Sequence, residues 1–179
     1  QAIRQIRFSE GQANAIEAMV SHLPYGALGQ AMAVTRRIRS DRRKAQGLSA
    51  IAVRLAQLGH PEEALRTIEQ ITFCWWQARA IQGLVPCLPS SLLDQALLAA
   101  SAITDSCAKA EALYALIPSL AEPDRQQIAL MALDSVRRYR PLYGQDLTVI
   151  TGLARFLPNP DQMELLEKVL DSVNTIRAR

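Results

Sequence analysis

The chain has 179 residues, a net charge of +3, 49% hydrophobic residues, 21% charged residues and only 5% aromatics. This is the balance of an ordinary folded protein, and it excludes a disordered acidic tail or a low-complexity segment. Ala and Leu dominate the apolar count, no run alternates β-branched and polar residues, and no apolar run is long enough to cross a membrane, so the expectation is an all-α protein without a membrane span.

Along the chain one pattern recurs. Gln12–Leu23, Lys44–Leu55, Gln77–Leu88 and Lys109–Leu120 align at shifts of 32, 33 and 32 residues, and Asp146–Leu157 follows after 37. The alignment produces columns. Ala13, Ala45, Ala78, Ala110 and Leu147 share one, and three residues on come Ile16, Leu48, Ile81, Leu113 and Ile150. A small-residue column follows (Ala18, Ala50, Gly83, Ala115, Gly152), then Met19, Ile51, Leu84, Leu116 and Leu153, then five leucines at 23, 55, 88, 120 and 157. Offsets of 0, 3, 6 and 10 trace one stripe of a helix, helix A of each unit, and the small column beside it suits a close helix crossing. Second halves align as a helix B, with Ala31, Ala64, Ala96, Ala129 and Leu166 in one column and Ile38, Ile71, Ile103, Val136 and Val173 in another.

Junctions between helices carry stop and start residues: Pro24, Gly59-His60-Pro61, Pro89-Ser90-Ser91, Glu122-Pro123-Asp124 and Pro158-Asn159-Pro160-Asp161. Ser, Asp and Asn cap helices, and Pro suits a first turn. The fold these signals predict is a right-handed α-solenoid of about five antiparallel helix pairs with a period of about 32–33 residues, one domain over 1–179. Its repeats fall roughly at 12–41, 42–72, 73–105, 106–141 and 142–177, and residues 1–10 read as the tail of a preceding helix. With no initiating Met and no signal-peptide core, the expectation is a slice of a longer protein. Three cysteines at irregular spacing (Cys74, Cys87, Cys107) fit a reducing cytoplasm better than a disulfide framework.

The stretch Leu55-Ala-Gln-Leu-Gly-His-Pro-Glu-Glu-Ala-Leu-Arg-Thr-Ile-Glu-Gln-Ile71 resembles the middle of a tetratricopeptide repeat, with a Leu-Gly near the end of helix A and an Ala-Leu in helix B. The other units lack that Gly, the helix-A aromatics and the terminal Pro, so the array is similar to degenerate tetratricopeptide or HEAT-like solenoids. The resemblance implies a non-catalytic module for protein–protein interaction, a scaffold or sensor part of a larger protein.

No constellation for catalysis stands out. His22 and His60 are helix-terminal residues, no Gly-rich phosphate loop occurs, and the cysteines are far from either histidine, so no metal and no cofactor are expected. Glu62-Glu63 opens a helix, where the dipole favours it. Two surfaces are candidates for binding. Helix-A positions off the core stripe, Asn14, Gln46, Arg79, Gln82, Glu111 and Tyr114, would line a groove for a protein or peptide, which could also be another domain of the parent chain. These positions are polar and mixed in sign, so hydrogen bonds and shape, not a charge clamp, would read the ligand.

The second candidate surface is basic. Residues 1–44 hold eight basic and three acidic residues, and Arg36-Arg-Ile-Arg-Ser-Asp-Arg-Arg-Lys44 packs six basic residues into nine. An edge combining Arg36, Arg37, Arg39, Arg42 and Arg43 with Trp75, Trp76, Arg137, Arg138 and Arg140 would suit a phosphate backbone, and nucleic acid is the alternative partner. The bland reading of the arginines is a solvated helix end, and that of the tryptophans is packing between units. Oligomeric state is left open.

Overall fold

The computed structural model describes residues 15, 17–137, 149, 151–157, 162, 163 and 167. Among them every regular element is helical and there is no strand. After a helical segment at 17–20 come α1 (Tyr25–Arg36), α2 (Asp41–Gln57), α3 (Pro61–Ile68), α4 (Cys74–Leu84), α5 (Leu93–Ser101), α6 (Ser106–Leu116) and α7 (Asp124–Arg137).

The punctuation of these helices follows from their ends. Ser40 caps α2, its Oγ accepting from Arg43 N at 3.5 Å, and Asp105 caps α6 more tightly, its Oδ1 accepting from Ala108 N at 2.9 Å. Pro61 stands at the first position of α3, followed by Glu62 and Glu63 in the positively polarised first turn. At the end of α2, Gly59 adopts a φ of +85°. This lets His60 N donate to Leu55 O (2.9 Å) and Gly59 N to Ala56 O (3.0 Å), the paired bonds of a Schellman termination.

Helix α2 packs on α1, α3 and α4; α4 packs on α2, α3, α5 and α6; and α7 packs on α6. The even-numbered helices therefore lie side by side, and the odd-numbered ones cover them. One apolar core runs continuously from Val20 to Leu157. In it Leu48, Ile81 and Leu113 of the even helices and Ala31, Ala64, Ala96 and Ala129 of the odd ones are buried, as the stripes require.

Several positions depart from expectation. Ile38, Ile71 and Ile103, placed on a helix-B stripe by the alignment, are buried but lie beyond the ends of α1, α3 and α5. The helices stop early and the chain still delivers the isoleucine to the core. Leu88 and Leu120 likewise lie past their helices, because Pro86 and Pro118 lack an N–H and tighten the last turns into 3-10 geometry over Val85–Cys87 and Ile117–Ser119. Met19, placed on the core stripe by the alignment, is 40% exposed. Ala18 is exposed and Ala50 and Gly83 are half-buried, whereas Gly47, Ala80 and Ala112, three residues earlier in each unit, are buried. A β-carbon on Gly47 would stand 2.8 Å from Thr35 Cγ2, so α1 and α2 approach closely here.

Candidate functional site

Residues one, four, eight and twelve positions after the first core residue of α2 fall on one face of that helix. They are Gln46, Ser49, Val53 and Gln57, with Arg54 beside them, and they form the floor of a concavity of about 430 Å³. One wall comes from Glu17, Val20 and Ser21, and the other from α4, where Trp76, Arg79 and Gly83 recur at i, i+3 and i+7 with Gln82 adjacent. The volume falls in the range, about 300–1,000 Å³, of sites that take small ligands or a few residues of a peptide.

Of the predicted groove residues, the structure brings Gln46, Arg79 and Gln82 together in this concavity. Gln46 is nonetheless not ligand-facing in the way expected. It is buried, its Nε2 donates to Glu17 Oε2, and its Oε1 accepts from Arg43 Nη1 at 3.1 Å. A buried amide with both ends engaged is a strut between helices, and it orients Glu17. Glu111 and Tyr114 are not part of the lining. Tyr114 lies where a β-carbon on Gly152 would come within 2.2 Å of its Oη, so its hydroxyl covers that glycine. Asn14, Arg138 and Arg140 lie outside the described residues.

The predicted basic and aromatic edge divides. Arg36 reaches across the odd-helix side and its Nη2 donates to Gln70 Oε1 at 2.7 Å. Lys44 pairs with Asp41 at 3.1 Å within α2, and Arg43 turns toward the concavity through Gln46. Arg37, Arg39 and Arg42 are exposed. Arg137 ends α7. Trp76 belongs to the concavity, and Trp75, 39% exposed, packs against it edge-on with ring centroids 4.7 Å apart. The Arg79 guanidinium sits 5.4 Å above the Trp75 ring, so the groove and the aromatic pair are one continuous surface.

Sequence reasoning missed Val53, Arg54 and Gln57. The signal was available, because α2 runs on to Gln57, well beyond the groove position considered at Gln46, and the same face simply continues. Arg54 is well held: its Nε donates to Leu23 O at 3.1 Å and its Nη1 to Gln57 Oε1 at 3.4 Å.

Two further polar clusters lie apart from the concavity. Tyr25 stacks on His60, with ring centroids 3.9 Å apart, and donates from its hydroxyl to Glu63 Oε1 at 2.8 Å. That hydrogen bond, aided by burial and by the negative carboxylate and opposed by Arg66, raises the Tyr25 phenol above its ordinary value. Burial pushes the Cys74 thiol up, but its contact with Thr104 Oγ1 at 3.2 Å and the backbone hydrogen bonds of Asp105 and Thr104 outweigh this and lower it overall. Among the described residues no group of His, Cys, Asp and Glu could hold a metal ion, and no helix is long and apolar enough to cross a membrane.

No family model, no curated protein and no solved structure matches this chain.

Proposed function

We propose that the chain is a right-handed α-solenoid and a non-catalytic binding module of a larger, cytoplasmic protein, taking up an extended peptide along its even-numbered helices. The observation that carries this reading is the concavity where Trp76, Arg79 and Gln82 of α4 face Ser49, Arg54 and Gln57 of α2. Exposed amides suit it, because Gln57 and Gln82 each offer a donor and an acceptor, the pair that an extended backbone presents. Side-by-side packing of α2, α4 and α6 under a layer of odd helices supports the solenoid, and the irregular spacing of three cysteines suits a reducing compartment.

Trp75 and Trp76 give the test a selective signal, since their indole N–H resonances are the chain's two tryptophan side-chain signals. Panning a random peptide library should yield sequences whose binding shifts the Trp76 indole signal and is weakened by Arg79→Ala and Gln82→Ala. A library that yields no binder, or binders that leave Trp76 unmoved, would overturn the reading. Salt-sensitive binding of generic single-stranded RNA, abolished by neutralising Arg37, Arg39 and Arg42, would replace it with a nucleic-acid function.

A further inference from the structure

Glu17, Arg54 and Arg79 are the charged side chains lining the concavity, and they are not equally available. Glu17 accepts from the buried amide of Gln46, which Arg43 holds from its other end. Arg54 uses Nε and Nη1 within the protein, leaving Nη2. Arg79 finds no hydrogen-bond acceptor among the described residues; its guanidinium is held by the Trp75 ring alone. Attraction to an aromatic face does not consume the guanidinium's N–H donors as directed hydrogen bonds, and those donors can form the fork that a carboxylate accepts in two parallel bonds.

From this charge complementarity we infer that the partner is an acidic, extended segment of another protein, and that it seats one Asp or Glu side chain on Arg79. The inference rests on the peptide-binding reading and names its specificity. A single carboxylate matches the surplus of one positive charge in the lining, whereas a phosphate dianion would meet the fixed Glu17 carboxylate in the same concavity. Exposed Gln57 and Gln82 share the lining with Arg79 and would take the peptide backbone.

The test is a positional-scanning library of N-acetylated, C-amidated octapeptides, which removes terminal charges so that side chains alone are read, with binding followed by fluorescence anisotropy. The library should require Asp or Glu at one position. Replacing that residue by its amide should weaken binding about ten-fold, the scale of a partly desolvated charge pair. Arg79→Gln should weaken the acidic peptide several-fold more than it weakens the amide peptide. Arg79→Glu should prefer the peptide carrying Lys there. Arg79 is exposed, so these variants keep their helicity, which circular dichroism checks. Binders without an acidic requirement, phosphoserine preferred over Glu, or an Arg79→Gln loss equal for acidic and amide peptides would each overturn the inference while leaving peptide binding intact. A library without binders removes the underlying reading instead.

Discussion

Gly83 lies so close to Val53 that a β-carbon at 83 would stand 2.6 Å from Val53 Cγ2. Helix α4 is thus drawn against α2 by the absence of one methyl group, on the rim of the concavity. Gly83→Ala gains helix propensity, about 1 kcal/mol, but forces a stiff β-branched side chain or the helix axis to move, at a cost of about 1–3 kcal/mol. The expected net result is a loss of roughly 1 kcal/mol in urea denaturation. Val53→Ala in the same chain should recover most of the loss added by Gly83→Ala. If the two substitutions simply add, the close approach is not what constrains residue 83.

Helix caps give a second comparison. Asp105 caps α6 with a 2.9 Å hydrogen bond, and Ser40 caps α2 with one of 3.5 Å. Asp105→Ala should cost about 1 kcal/mol of stability, and Ser40→Ala measurably less, since the longer bond contributes less and Asp41 still complements the helix end. Thermal unfolding of both variants decides the order.

At alkaline pH the Tyr25 phenol is expected to titrate above the ordinary tyrosine value. Its folded-state pKa is raised. Its contribution to stability is therefore complete below the unfolded tyrosine pKa of about 10 and disappears as pH rises through the higher folded value. Absorbance at 295 nm should show a late-titrating phenol component that is lost in Tyr25→Phe and moved to lower pH in Glu63→Gln. A titration unchanged by Glu63→Gln would remove the Tyr25–Glu63 hydrogen bond as its cause.

Cys74 should react with iodoacetamide at neutral pH faster than an ordinary thiol of equal exposure, because its pKa is lowered and a larger fraction is thiolate. Thr104→Val removes the hydroxyl 3.2 Å from Sγ and should slow that modification. Peptide mapping after partial labelling measures it.

The helical class and the buried stripes were legible because period and composition agree: Leu48, Ile81 and Leu113 recur at helical offsets and are all buried. Helix ends were less legible. Ile38 and Ile71 look like helix residues by spacing, yet Arg36 and Ile68 end their helices first, and periodicity cannot distinguish a buried helix position from a buried loop position two or three residues on. In the site, Gln46, Arg79 and Gln82 were readable as one face. That Gln46 is consumed by Glu17 and Arg43 was not, because it depends on contact with a segment 29 residues earlier. Trp76 was assigned to an outer edge, although its spacing to Arg79 and Gly83 already placed it on the groove side.

The isoleucines at 38, 71 and 103 have a bearing on dissection of the chain. Each is 1–2% exposed and each sits in a linker, so the seams between helix pairs are not idle tethers; they carry the stoppers that seal the interior. A fragment that ends at Arg36, Ile68 or Ser101 would respect the helices and yet leave its lower floor unplugged. The workable excision points lie just beyond the isoleucines, and shuffling or trimming of units has to move each helix pair together with the linker that follows it.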